Sequence, residues 1–156
     1  MRSLLLLATL VLPSAASAQA PRDSVIATIN EFFRAMTAKD SAASAAVLHP
    51  DGVMFSSSQR GDSTTLRRST FASYLGSITT MKGDLLERMW EPTVLVHRQL
   101  ATVWTAYDFH TDKKFSHCGV DVFNLMRHQG RWKIVSVAYT VEPTGCAESP
   151  LGKPKQ

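Results

Sequence analysis

Asp108, His117 and Asp121 are the residues whose types and spacing suit proton chemistry. They fall within the first two of three strand-like runs, 101–110, 115–126 and 132–141, rich in β-branched and aromatic residues and separated by polar turns. Symmetric pairing about turns centred on Asp112-Lys113 and Gln129-Gly130 places Asp108 opposite His117, Trp104 opposite Asp121, and Asp121 opposite Ala138. Directly opposite side chains have Cβ atoms about 5 Å apart, so Asp108 can hold His117 in one tautomer as a general base. An ordinary cross-strand ion pair has the same geometry. His117 and Asp121, four residues apart on one strand, lie roughly 13 Å apart and cannot share a proton.

Asp121 reads as a cavity carboxylate whose pKa is raised by burial, with Trp104 as a stacking wall and Tyr74 and Trp90 as further candidate ligand-binding residues. The alternative is a structural carboxylate bonded to helix backbone or to Tyr74. The five histidines show no tight metal-ligand spacing, and the sequence holds no Gly-rich phosphate loop or nucleophile elbow. No cofactor or metal is therefore expected.

The paired register divides the strands into two faces. Trp104, Ala106, Asp108, His117, Gly119, Asp121, Phe123, Leu125, Trp132, Ile134, Ser136 and Ala138 share one, mixing large apolar residues with small and acidic ones, which suits a partly polar cavity beneath helices. The other, with Val103, Val120, Val122, Val135, Val137 and Tyr139, is nearly all apolar and is expected to be covered in a homodimer.

The elements that position these residues come earlier in the chain. Val25, Ile29, Phe32 and Met36 form an apolar stripe at helical spacing, and Asp40 caps a short alanine-rich helix that stops near Leu48, ahead of Pro50. Val53–Ser56 reads as a short strand, and residues 57–67 as a turn-rich lip. A third helix starts at about Thr70, with Phe71, Tyr74, Leu75 and Ile78 inward, and stops at Lys82-Gly83. Residues 85–96 form a strand interrupted by Pro92, which calls for a bulge, a bend or an edge position. Helices gathered at the start and strands at the end specify an α+β fold, with three N-terminal helices on a curved antiparallel sheet.

The 156 residues carry 17 Lys and Arg against 13 Asp and Glu, an excess too small and too scattered to suggest nucleic-acid binding. Arg2, the apolar run 4–12 and Ala16-Ser17-Ala18 read as a secretory signal peptide cut after Ala18. The expected organisation is a leader over 1–18, one domain over 19–148 and a disordered tail over 149–156, with no membrane insertion once the leader is removed. The product is expected to be secreted or periplasmic. In such a compartment Cys118 and Cys146 are expected to form a disulfide, since Val141 lies opposite Cys118 and Pro143-Thr144-Gly145 turns the chain back. Two separate buried thiols are the alternative.

Phe32-Phe33-Arg34-Ala35-Met36, Leu48-His49-Pro50-Asp51-Gly52 before a strand, and Gly130-Arg131-Trp132-Lys133-Ile134 in the last hairpin resemble the nuclear transport factor 2-like superfamily. Tyr107-Asp108-Phe109, His117-Cys118-Gly119-Val120-Asp121 and Ala138-Tyr139-Thr140 resemble its exported bacterial branch, described as SnoaL-like or lumazine-binding. The resemblance implies a cone-shaped cavity between a bent sheet and three helices, and commonly a dimer. It implies either ligand binding without catalysis or cofactor-independent isomerase or dehydratase chemistry using an Asp with a Tyr or His. The functions expected are thus a cavity protein binding a small, partly apolar molecule, an enzyme using Asp121 or the Asp108–His117 pair, or a structural dimeric accessory domain.

Overall fold

A computed structural model describes residues 16–154. Most of the expected leader, residues 1–15, lies outside the described residues, as do residues 155 and 156 of the tail. Helix α1 spans Ala16–Thr37 and α2 spans Ser41–Val47, linked by a turn in which Lys39 has positive φ. The buried stripe of α1 is Val25, Ile29, Phe32, Phe33 and Met36. Asp40 caps α2 by accepting from the Ala43 N–H at 2.8 Å, satisfying a donor that the helix itself leaves free. At the other end Lys133 donates to the Ala45 and Ala46 carbonyls, fixing α2 on the sheet.

The chain then runs through β1 (Leu48–Arg60), β2 (Ser63–Thr70), α3 (Phe71–Ser77) and a 3-10 turn (Ile78–Thr80). β3 (Leu85–His97), β4 (Leu100–Thr111), β5 (Lys114–His128) and β6 (Arg131–Val141) follow. Thr70 caps α3 by accepting from the Ser73 N–H. The six strands form one sheet in the order β2-β1-β6-β5-β4-β3, antiparallel except for the parallel β1–β6 pair. The fold is α+β, with three helices on a mixed sheet.

Two expectations about the architecture need correcting. The helices are not all N-terminal, because β1 and β2 precede α3; and the sheet is mixed, because β1 joins beside β6. The lip expected over 57–67 is instead a hairpin that turns at Gly61, φ 57°, and β2 is a strand of its own. β2 is exposed along nearly all its length, so it carries no buried alternation from which a strand could be read. The expectation for Pro92 is met: β3 is an edge strand, its register shifts between Trp90 and Thr93, and Glu91 has φ 48°.

Both central turns lie where expected, with positive φ at Asp112, Lys113, Gln129 and Gly130, as tight hairpins require. The pairing beyond them is not symmetric. Phe109 pairs with His117 and His110 with Phe115, leaving Ser116 as an extra residue; Asn124 pairs with Ser136 and Leu125 with Ile134, leaving Val135 extra. A bulge moves the register by one, and in a strand one residue reverses every side chain beyond it. β5 therefore presents His117, Gly119, Asp121, Phe123 and Leu125 to the helices as expected. β4 is inverted, presenting Val103, Thr105, Tyr107 and Phe109. β6 presents Trp132 and Ile134 before its bulge, and Val137 and Tyr139 beyond it.

Phe123 stands at the centre of the core, with its ring edge-on to Phe32 and Phe33 at 6.4 and 5.8 Å between centroids. Trp132 Nε1–H donates to Ser24 Oγ at 3.0 Å, and Arg22 donates to the Val94 carbonyl at 3.3 Å, so α1 is tied to β6 and β3 at the rim. A disulfide joins Cys118 and Cys146, Cα atoms 6.0 Å apart, as expected from the sequence. The segment after Cys146 lies against the outer face of the sheet, and within it the Gly152 N–H donates to the Ser149 carbonyl at 3.1 Å.

Candidate functional site

Between the helices and the sheet lies a cavity of about 200 Å³. Phe32 and Met36 from α1, Tyr74 from α3, Met54 from β1, Leu85 and Glu87 from β3, Phe109 from β4, His117, Asp121 and Phe123 from β5, and Val137 and Tyr139 from β6 surround it, with Met81. The wall is aromatic and thioether-rich, and its polar atoms gather at the sheet.

Asp121 is the centre of that polar edge. It lies mid-strand in β5 between Thr105 of β4 and Tyr139 of β6, is 2% exposed, and its Oδ2 accepts no hydrogen bond from any N–H or hydroxyl group of the described residues. Thr105 offers it none, since its hydroxyl donates to backbone carbonyls. The Tyr74 hydroxyl is buried beside Ser44 without a hydrogen bond of good geometry, and burial pushes its pKa up to about 12. The structural alternative in which Tyr74 holds Asp121 is therefore absent.

The neighbour Asp121 does have is Glu87, within hydrogen-bonding reach. Two carboxyls in one apolar pocket cannot both ionise freely. Burial pushes Asp121 up to about 7, and burial together with the Asp121 charge raises Glu87 well above the usual carboxylate range. The pair thus retains a shared proton near neutral pH and titrates as a unit. Glu87 was not singled out from the sequence. The available signal was its place between Leu85 and Met89, alternate residues of one strand that both pack on the core.

His117 lines the cavity as well. Its ring stacks on Phe109 at 5.0 Å, meets Tyr107 edge-on, and has Nδ1 3.0 Å from Ser116 Oγ; burial lowers its pKa, so it stands in the cavity as a neutral imidazole. Tyr107 is fully committed elsewhere, donating its hydroxyl to the Thr140 carbonyl at 2.7 Å. Gly119 makes that close approach possible: any Cβ there would run into the Thr140 carbonyl.

The remaining candidates lie on the other side of the sheet. Asp108 does not meet His117. The Ser116 bulge turns Asp108 outward, where it accepts from Arg88 at 2.8 and 2.5 Å and lies 3.3 Å from His110 Nε2. Burial works to raise this carboxyl, but the Arg88 hydrogen bonds and charge, with His110 behind them, hold it below its ordinary value. Trp104 is inverted by the same bulge, and is 51% exposed on the outer face rather than stacked over Asp121. Trp90 lies on that face too, paired with Ala106. Of the expected site residues, then, the structure brings together Asp121, His117 and Tyr74, and removes Asp108, Trp104 and Trp90 from the cavity.

The family model for proteins described as putative lumazine-binding matches residues 20–140, most of the chain and every element that lines the cavity. The chain belongs to this family. Solved structures resemble the lumazine-binding family member at low sequence identity. Rv3472, a Mycobacterium tuberculosis protein of unknown function, matches with TM-score 0.68 and 13% identity over 83% of this chain and 76% of its own. A nuclear transport factor 2-like protein of Shewanella baltica matches with TM-score 0.60 and 13% identity, covering 85% of this chain and 100% of its own. A Streptomyces avermitilis protein described as a putative dehydratase of the same superfamily matches with TM-score 0.61 and 15% identity, covering 80% and 97%. These likenesses establish the nuclear transport factor 2-like fold. No curated protein matches the chain. Among the described residues of this family member no three metal-ligating side chains converge, and no helix is long and apolar enough to cross a membrane.

Proposed function

We propose that this chain is an exported cavity protein that binds a small, partly apolar molecule, anchored at its polar end by Asp121. The observation that carries this reading is a carboxylate 2% exposed, with one oxygen that no N–H or hydroxyl group of the described residues satisfies, at the edge of a cavity walled mainly by aromatic rings and methionines. A buried polar atom left without a partner costs about 1–3 kcal/mol, and a bound ligand can supply that partner. The family description supports a small-molecule ligand, and the leader-like first 18 residues together with the bonded cysteine pair support export.

A thermal-shift and native mass-spectrometry screen that includes fused aromatic heterocycles is expected to find compounds that raise the melting temperature and persist in the complex. A screen in which no compound changes stability or co-purifies would count against the reading.

The second reading is cofactor-independent proton transfer, favoured by a carboxyl pair whose first ionisation falls near neutral pH. In it Asp121 is the base and Glu87 holds the proton that keeps the pair singly charged.

The association expected from the sequence takes a different set of residues. Val103 and Val137 are buried in the core, and Tyr139 reaches the cavity as well as bordering the outer trough, so only part of the expected face is on the outer surface. Trp104, Leu66, Phe55, Val120, Val122 and Ala138 form the apolar trough that is there, with Trp104 51% and Leu66 70% exposed. We assign this trough to a second copy of the chain. Sedimentation at micromolar concentration is expected to show a dimer that Trp104→Glu converts to monomer; a wild-type monomer would overturn the assignment.

A further inference from the structure

The cavity carries information about the charge of its occupant, which the reading as a small-molecule site leaves open. Its acidic groups, Glu87 and Asp121, both reach the same polar edge, and among the described residues no lysine or arginine lines it. The nearest strand residue that could have supplied a positive charge, Arg88, points to the opposite face and is held there by both oxygens of Asp108. His117, the remaining titratable nitrogen of the wall, is stacked on Phe109.

Whatever enters therefore meets carboxyl oxygens at one end and aromatic side chains along the sides. A carboxylate, phosphate or sulfate would bring like charge against Asp121 with no cation to offset it, at a depth where solvent does not screen the repulsion. A neutral carbonyl would offer acceptors where the protein already has too many. A group with several N–H donors and a positive charge satisfies the Asp121 Oδ2, to which no N–H or hydroxyl group of the described residues donates, and spans to Glu87 with a second hydrogen. The Phe32, Tyr74, Phe109, Phe123 and Tyr139 rings that line the cavity suit an organic cation with an apolar body as well.

We propose, on the basis that this cavity is the ligand site, that its ligand is an organic cation with paired N–H donors, an amidine, amine or protonated amino-heterocycle on a small apolar body, received by Asp121 and Glu87 together.

Three probes of nearly one shape separate the possibilities: benzamidinium, benzamide and benzoate, titrated calorimetrically into the full-length disulfide-bonded protein. Benzamidinium is expected to bind at least tenfold more tightly than benzamide, and benzoate more weakly than either. Asp121→Asn and Glu87→Gln should each reduce the benzamidinium preference at least tenfold while leaving benzamide affinity within a factor of about three. Glu87→Gln carries the comparison if Asp121→Asn does not fold. Benzoate or benzamide binding as tightly as benzamidinium would overturn the charge assignment while leaving the cavity a ligand site. Absence of binding by all three at millimolar concentration would overturn both. A benzamidinium preference unchanged in both variants would place the cation elsewhere on the protein and reject this site.

Discussion

Asp121→Asn is expected to stabilise the protein at pH 7 to 8 while weakening its function. An unfolded aspartate ionises near 3.8, and folded Asp121 near 7. A carboxyl whose pKa is raised by folding favours the native state fully below the unfolded value, and loses that contribution as pH rises through the folded one. The native state is therefore opposed increasingly between about pH 4 and 7, with a ceiling on the order of 4 kcal/mol. Asparagine carries no charge into the pocket and can donate to Glu87, which a second carboxylate cannot. The expected gain is on the order of 1 to 3 kcal/mol at pH 8, shrinking toward pH 4, with ligand binding or turnover weakened by a similar amount. Denaturant midpoints at several pH values and ligand affinity, measured on the same two proteins, check both parts. A large loss of stability with intact binding would remove Asp121 from the site and make it a structural residue.

Arg88→Ala is expected to act in the opposite direction and to be the more damaging. Asp108 is 4% exposed, and its side chain meets Arg88 through two hydrogen bonds on the outer face. Removing the guanidinium leaves a buried carboxylate with only His110 beside it, and such losses are typically 3 to 5 kcal/mol. Because folding lowers the Asp108 pKa, its contribution is present above the unfolded value near 3.8 and disappears as pH falls through the folded one. Wild-type protein should accordingly lose stability on acidification from this pair, and on passing from pH 4 to 8 from Glu87 and Asp121. Arg88→Ala should abolish the first loss and leave the second. Replacing both partners, Arg88→Met with Asp108→Asn, should recover most of the stability, as measured by urea midpoints. No recovery would mean that Arg88 acts through packing rather than through the charge of Asp108.

The contrast between these two aspartates also shows what was legible before the structure. The side of Asp121 is legible because β5 runs without a register shift against β4 from His117 to Met126, and Phe123 and Leu125 on its side mark the buried face. Asp108 was misplaced by one extra residue, Ser116, in the neighbouring turn. A bulge leaves little trace in composition, since a small polar residue beside a hairpin reads equally well as part of the loop. Val135 had the same effect on the far half of β6, moving Val137 and Tyr139 inward and Ala138 outward. Glu87 was missed for another reason. It approaches Asp121 from a strand that is not its neighbour, β4 lying between, so no pairing rule joins the two in sequence. Their side chains meet across β4 on the inner face of the sheet.

The parallel seam between β1 and β6 governs the order in which this molecule can form. Phe55 pairs with Ala138 and Ser56 with Tyr139, contacts spanning more than half of the chain. Such distant pairings are slow to reach, because the loop between them must close before they contribute anything. Until β6 has emerged and docked, β1 and β2 can exist only as a hairpin with an open inner edge, a form that is marginal in water and prone to pairing with other chains. The cavity has the same dependency, since its walls run from Phe32 to Tyr139. A chain that emerges N-terminus first, as from the ribosome, would thus have its cavity unformed until its last strand arrived. During that interval the β1–β2 hairpin is the segment a chaperone has most reason to hold.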